Sequence, residues 1–280
     1  MKRTLVFAFA TAAVLATAPV RALPAPQQVL PNDEWCRNDN WGGDRAGYCE
    51  VRQYVLGAGA GVMQVDAAPN GGIQVDGSAR RDIVVKAKVV AQAATTERAH
   101  EIVNGVRVDA APDKVGADGP AGLADRESWS VSYRVEVPTL TSLSLKTTNG
   151  GIKIADVEGQ IEFQTVNGGV KLSGLAGTVK GRTNNGGVDI ELEGTSWRGE
   201  GLDVQTNNGG VKLSIPEHYS AHLETSTVNG GMNSDIPITM QGQIAGPNRP
   251  RDISVDLGAG GPPIRVRTHN GGVRILKKHM

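Results

Sequence analysis

The sequence predicts an all-β protein, a single-stranded parallel β-helix (solenoid) with Asn-Gly-Gly corners, one short helical insertion and a disulfide-stapled N-terminal cap. Asn-Gly-Gly occurs seven times, and six copies share the pattern Thr-x-Asn-Gly-Gly followed by alternating apolar and polar residues. The six asparagines follow one another at intervals of 18, 18, 23, 21 and 41 residues, and a period near 20 is typical of a stacked repeat. Aromatic residues make up only 4% of the chain, so aliphatic side chains must fill the interior.

Each repeat is predicted to be a strand, a corner and a second strand. In the first full unit, Leu143, Leu145 and Thr147 alternate with polar residues before the corner. Ile152 and Ile154 resume the alternation after it. Alternation with a period of two is typical of strands that have one buried and one solvated face. The residues expected to point inward are Leu143, Leu145, Ile152, Ile154, Ile161, Phe163, Val170, Leu172, Val188, Ile190, Leu202, Val204, Val211, Leu213, Ile264, Val266, Val273 and Ile275.

The corners are predicted from the chemistry of Asn-Gly-Gly. The two glycines are expected to supply positive φ without a Cβ penalty, and Asn tolerates the left-handed region better than other side chains. In a stack, Asn side chains at equivalent corners would hydrogen-bond from coil to coil and satisfy polar groups that the strands leave unpaired. The expected corner residues are Asn70, Asn149, Asn167, Asn185, Asn208, Asn229 and Asn270.

An antiparallel β-hairpin array is the alternative fold, because an Asn-Gly pair between alternating strands is also a strong hairpin signal. That register would place Lys146 opposite Lys153 and Arg267 opposite Arg274. Like charges directly opposite each other are unfavourable. A parallel stack instead places identical Thr and Asn residues above one another, and it is the preferred prediction.

Residues 1–22 are predicted to be a secretory signal peptide. Lys2 and Arg3 precede an apolar run over residues 5–18, and residues 20–22 form a small-residue cleavage site. The run is shorter than the ~20 residues that a bilayer requires. We therefore expect a periplasmic or secreted protein with no transmembrane anchor in the mature chain.

Residues 23–50 form an N-terminal segment that contains both cysteines of the chain. Cys36 and Cys49 lie 13 residues apart, and in an exported chain such a pair is expected to form a disulfide bond. A metal site is the rival interpretation, but no His lies between or near them. The stapled segment is expected to cap the first coil, because an open coil end is a strand edge that templates aggregation.

Residues 51–275 are predicted to form one β-strand-repeat domain with an insertion at about 92–127, and residues 276–280 a C-terminal tail. Within the insertion, residues 95–103 have a helical composition, and the Gly-, Ala- and Asp-rich residues 112–126 are expected to be a loop. A smaller N-terminal domain that ends near Pro138 is the alternative division.

Candidate catalytic groups are few. Asp203 and Glu224 occupy one outward position and would lie on neighbouring coils, and two facing carboxylates are what glycosidase chemistry needs. Paired outward acids are, however, more often a solvated face. His218 and His222 would share one face of a helix as metal ligands, but Pro216 leaves room for only a very short helix. No catalytic residue, cofactor site or metal site is therefore predicted.

A set of outward basic residues is the candidate binding face. As a shallow basic stripe it would suit acidic glycans or lipid head groups, whereas the favoured interpretation is solubility and edge protection. The chain has 29 basic and 29 acidic residues, and loss of the signal peptide removes three basic ones, so nothing supports binding to nucleic acid. The six residues are Lys153, Lys171, Arg182, Lys212, Arg267 and Arg274.

The stapled N-terminal segment, the strand that ends at residues 135–138 and the recurring Thr-x-Asn-Gly-Gly-Val-x-Leu units resemble a bacterial family of β-strand-repeat or "putative adhesin" domains of unknown function. The resemblance covers about residues 51–275. This chain departs from the pattern at residues 232–234, where Ser takes an apolar position, and at residues 253–261, which are expected to be a degenerate unit.

The resemblance implies a non-enzymatic exported β-solenoid that acts as an adhesin-like or scaffold protein of the bacterial cell envelope. Its partner would be an envelope glycan or protein. The alternatives are a β-helical carbohydrate-active enzyme and an envelope-stress accessory protein. No catalytic residues are associated with the family, so the resemblance assigns none here.

Overall fold

The computed structural model describes residues 28–30, 33–37, 44–236 and 252–278. Within these ranges the chain forms 21 strands and two short helices. The predicted signal peptide lies outside the described residues, and so do the last two residues of the predicted tail.

The elements follow one another in this order: β1 (Gln28–Leu30), α1 (Glu34–Arg37), β2 (Ala46–Gly57), β3 (Met63–Asp66), β4 (Ile73–Ser78), β5 (Asp82–Ala93), α2 (Thr96–Gly105), β6 (Arg107–Ala110), β7 (Lys114–Asp118), β8 (Ser128–Pro138), β9 (Leu143–Lys146), β10 (Ile152–Ala155), β11 (Glu158–Asn167), β12 (Val170–Ser173), β13 (Ala176–Asn185), β14 (Val188–Glu191), β15 (Gly201–Asn208), β16 (Val211–Pro216), β17 (Ala221–Asn229), β18 (Met232–Ser234), β19 (Asp252–Leu257), β20 (Pro263–Asn270) and β21 (Val273–Lys278).

The strands form two sheets. Sheet A has the order β1-β2-β5-β8-β4-β10-β12-β14-β16-β21-β18, and sheet B has the order β19-β17-β20-β15-β13-β11-β9-β3-β7-β6. Each coil contributes the strand before its Asn-Gly-Gly to sheet B and the strand after it to sheet A, so the motif joins two sheets. Neighbouring coils are parallel and in register, with Thr165 opposite Thr183 and Val170 opposite Val188. The chain is a β-solenoid, and the antiparallel hairpin alternative is wrong.

The core lies between the two sheets and is almost entirely aliphatic. Every residue predicted to point inward is at most 4% exposed. Gly181 takes an inward position on β13, where a Cβ would lie 2.1 Å from the ring of Phe163. The one large aromatic ring of this column therefore fills the space that its neighbour on the next coil leaves empty.

The corner asparagines form a continuous ladder. From the second member onward, each Asn donates its Nδ2 to the Oδ1 of the preceding Asn at 2.7–2.8 Å, in the spatial order Asn70, Asn149, Asn167, Asn185, Asn208, Asn270 and Asn229. Beneath the ladder, the buried Thr of each repeat donates its hydroxyl to the first glycine carbonyl of the neighbouring coil at 2.7–2.9 Å. These bonds explain why Thr and Asn recur at fixed positions before the two glycines.

The corner glycines do not supply positive φ, and that expectation is wrong. The described glycines with positive φ lie elsewhere, for example Gly174 and Gly177. A Cβ on the first glycine of each motif would instead lie 1.9–2.1 Å from a carbonyl oxygen of the neighbouring strand. Glycine is needed there because adjacent coils approach closely.

The coils do not stack in sequence order at the C-terminal end. Strand β20 lies between β15 and β17, and β21 lies between β16 and β18. The last coil is thus inserted between two coils that are consecutive in the chain. The expected degenerate unit is no coil, because β19 pairs antiparallel with β17 at the edge of sheet B.

Antiparallel strands and a helix cover the N-terminal end of the stack. Strands β2, β5 and β8 pair antiparallel beside β4, and α2 packs on β2 and β5 with Ala99, Ile102 and Val103 buried. The Cys36–Cys49 disulfide joins α1 to β2. Residues 114–118 of the expected loop form β7, which pairs with β3 in sheet B.

Candidate functional site

The six basic residues of the predicted binding face lie on two different surfaces. Four of them, Lys153, Lys171, Lys212 and Arg274, share one register position on the outer face of sheet A. Arg182 and Arg267 lie on sheet B. The core separates the two outer faces, so the six residues do not form the single stripe that the sequence suggested. Four of them form a row on sheet A.

An open groove of about 930 Å³ runs beside this row. It crosses eight neighbouring strands of sheet A, from β8 to β18, which spans about 34 Å at ~4.8 Å per strand. The lining consists of the middle of β8 and, for the other seven strands, the first residues and the glycine before them. The strands that follow a corner begin Gly-apolar-polar, so the glycine leaves no side chain beside the outward polar residue. We call this feature the axial groove. Its outward residues, in spatial order, are Arg134, Gln74, Lys153, Lys171, Asp189, Lys212, Arg274 and Asn233.

Like charges are neighbours along the axial groove. Lys153 lies opposite Lys171, and Lys212 lies opposite Arg274. Lys212 is paired with Asp189 at 3.3 Å. In the part of the chain that the structure describes, no carboxylate forms an ion pair with Lys153, Lys171 or Arg274.

Tryptophan and arginine close the N-terminal end of the groove. The guanidinium of Arg134 lies 4.1 Å from the centroid of the Trp35 ring, and Lys88 Nζ lies 5.7 Å from it. Trp35 belongs to α1, which the disulfide holds against β2. Sequence reasoning missed both Trp35 and Arg134, since neither follows an Asn-Gly-Gly corner.

The outer face of sheet B carries the two carboxylates that were predicted to be neighbours. Asp203 and Glu224 are not adjacent, because Arg265 of the inserted β20 lies between them. Arg265 binds Glu224 through Nε–Oε2 and Nη2–Oε1 contacts of 2.7 and 3.0 Å, and Arg267 Nη2 binds Asp203 at 2.7 Å. The hydrogen bond from Arg265 lowers the pKa of Glu224, whereas a general acid at neutral pH needs a raised pKa.

The two histidines do not share a helix. His218 lies in a turn, and His222 lies on β17 with Nδ1 2.7 Å from Asp256 Oδ1. Among the described residues, no group of three or more His, Cys, Asp and Glu side chains could hold a metal ion. Neither helix within the described ranges has the length and hydropathy needed to span a membrane.

The chain is similar to one known protein family and to several solved structures. No curated protein matches it. Similar solved structures include a "putative cell adhesion protein" from Clostridium sporogenes, at 12% identity over 81% of this chain and 100% of that chain with a TM-score of 0.38. Another is a "putative adhesin" from Bacteroides fragilis, at 11% identity over 82% of this chain and 97% of that one with a TM-score of 0.34. Residues 91–275, more than half of the chain, match Toastrack DUF4097. The chain therefore belongs to the Toastrack DUF4097 family.

Proposed function

We propose that this protein is a non-enzymatic, exported β-solenoid that acts as an adhesin-like or scaffold protein of the bacterial cell envelope, in the periplasm or after secretion. The observation that carries the proposal is the stack itself. Its repeated Thr, Asn and Gly positions are used for contacts between coils. Its outer faces present long straight rows of polar side chains, and such extended surfaces are how solenoids bind partners.

The disulfide supports export. Cys36 and Cys49 are joined, and structural disulfides persist in oxidising compartments such as the periplasm. The proposed signal peptide of residues 1–22 would deliver the chain there.

The carboxylates of sheet B support a role without catalysis. Asp203 and Glu224 are each bonded to an arginine on β20. A carboxylate held in this way is stabilised in its ionised form and serves the pairing of strands. These contacts account for both acids without a substrate.

Binding and turnover can be separated with the purified mature protein. We expect it to be retained on intact cells or on purified envelope glycans at physiological salt, with the heat-unfolded protein as the control. The same protein is incubated with the polysaccharides it binds, and released reducing ends are measured. Absence of any envelope ligand would contradict the proposal, and so would turnover that Asp203→Asn abolishes.

Localisation is tested by fractionation of cells that produce the full chain with a C-terminal tag. We expect the processed, disulfide-bonded form in the periplasm or the medium. Recovery of an unprocessed chain with free thiols from the cytoplasm would contradict export.

A further inference from the structure

We propose that the axial groove binds a single extended chain of a carboxylate-bearing polysaccharide, parallel to the solenoid axis. This proposal rests on the proposed binding function and names its site and its ligand class. The ligand carboxylates would lie along the cations of the groove, and the sugar rings would lie over the exposed glycine backbone.

Repulsion between like charges along the groove is the first argument. The pairs Lys153–Lys171 and Lys212–Arg274 hold like charges on adjacent strands, which is unfavourable in a sheet. Asp189, the one carboxylate in the row, pairs with Lys212, and the nearby Glu191 is bonded to Lys278, so the row keeps a net positive charge. The carboxylates of a polyanion bound in the groove would attract each of these cations and so offset the repulsion between them.

Sheet B shows that the same fold can arrange its charges otherwise. One outward row there alternates in sign along five neighbouring strands: Glu162, Lys180, Asp203, Arg265 and Glu224. Such alternation stabilises the stack and keeps the surface polar. Solubility therefore does not require the like-charged neighbours of sheet A, and a local rule broken without a compensating contact is typical of a functional site.

The shape of the charged surface favours a linear ligand over a membrane. The next outward position of sheet A carries Asp76 and Glu191, so acidic residues border the row of cations. A surface that binds anionic head groups of a bilayer would instead need a broad cluster of basic residues. One extended chain matches the single row.

The lining of the groove favours a sugar over a nucleic acid strand. Proteins that hold single strands use successive aromatic side chains on which bases stack. Trp35 and Tyr133 are the aromatic residues among the described lining; Arg134 covers the ring of Trp35, and Tyr133 is buried. Most of the glycines that precede these strands, such as Gly151 and Gly169, are exposed and leave room for a sugar ring to approach the backbone.

Calorimetric titration of the full mature protein with polygalacturonate tests the proposal. We expect saturable binding that weakens as salt rises, because exposed charge pairs are screened. The Lys153→Glu/Lys171→Glu variant should lose at least about tenfold in affinity. The matched control is Lys146→Glu/Arg182→Glu, which makes the same charge change on the outer face of sheet B and should stay within about twofold.

Several outcomes would overturn the proposal. They are an equal loss in both variants, equal binding of neutral dextran, tighter binding of oligothymidylate or of anionic phospholipid vesicles, and no binding of either polygalacturonate or alginate. If the double reversal lowers the melting temperature, Lys153→Gln/Lys171→Gln provides the same test with a smaller charge change. A protein that binds intact cells but neither polyuronate disproves the groove assignment and leaves the proposed function standing.

Discussion

Asn270 donates a hydrogen bond to Asn208 at 2.8 Å, although 62 residues separate them in the chain. Asn229, which precedes Asn270 in sequence, donates to it from the other side. The last coil therefore completes the ladder from within the stack. It fits there because every coil carries the same Thr, Asn and Gly positions, so the inserted coil makes the same contacts on both of its faces.

We expect an asparagine in the middle of the ladder to contribute more to the free energy of unfolding than the asparagine at its end. Asn185 accepts from Asn208 and donates to Asn167, so Asn185→Ala should lower the free energy of unfolding by about 1–2 kcal/mol. Asn229 makes one ladder bond, and Asn229→Ala should cost about half as much. Urea denaturation measures both. Equal costs at the two positions would show that the ladder does not act through its bonds.

Two adjacent glycines should differ in how much stability the same change costs. A Cβ on Gly168 would lie 2.0 Å from the carbonyl oxygen of Gly150, whereas one on Gly169 would lie 3.5 Å from its nearest neighbour. Gly168→Ala must push two coils apart and should cost about 3 kcal/mol or more. Gly169→Ala should change stability by less than about 1 kcal/mol. Thermal unfolding separates the two, and a tolerated Gly168→Ala would refute the close approach of the coils.

Two buried threonines offer a second matched pair. The hydroxyl of Thr183 donates to the Gly168 carbonyl at 2.8 Å, so Thr183→Val should cost about 1–2 kcal/mol. The hydroxyl of Thr225 is buried without a hydrogen-bond partner in the described structure, and Val266 takes the equivalent position on the neighbouring strand. Thr225→Val should therefore stabilise the protein by about 1 kcal/mol. Chemical denaturation measures the change in the free energy of unfolding of both variants. A gain in Thr183→Val together with a loss in Thr225→Val would contradict this account.

A charge reversal in the groove should stabilise the free protein. Lys153→Glu replaces the repulsion with Lys171 by an attraction across the strands, for a gain of about 0.5 kcal/mol. Lys146→Glu is the control on sheet B, where the new carboxylate would lie opposite Asp66 and should destabilise by a similar amount. Urea titrations at low salt measure both effects. A loss of stability in Lys153→Glu would show that repulsion between Lys153 and Lys171 does not destabilise the free protein.

Acid should weaken the contacts of the inserted strand. The hydrogen bond from Arg265 lowers the pKa of Glu224, so the ion pair contributes stability above the unfolded-state pKa of about 4.3. This contribution is lost as the pH falls through the lower, folded-state value. Arg265→Ala and Glu224→Gln should both be less stable than the wild type at pH 7, and the differences should shrink at about pH 3. Denaturation curves at the two pH values provide the test. Differences that persist in acid would assign the effect to packing.

Alternation along the chain was sufficient to predict the strands and their buried faces. All inward residues from Leu143 to Ile275 are buried as expected, because a period of two assigns every side chain to one face of a strand. The recurring tripeptide likewise indicated where one strand ends and the next begins. It did not reveal why glycine is required, since close approach of a neighbouring coil leaves no trace in the local sequence.

Which coils become neighbours was decided by the tertiary structure alone. Every coil presents the same Thr, Asn and Gly positions. The coil of Asn270 can therefore stack between those of Asn208 and Asn229, and it satisfies the local pattern as well as stacking in sequence order would. That choice separates Asp203 from Glu224 and places Arg274 beside Lys212. The path of the chain also brings Arg134 and Trp35 to the end of the groove. Contacts of this kind depend on how distant segments meet in space, and no periodicity within a segment encodes them.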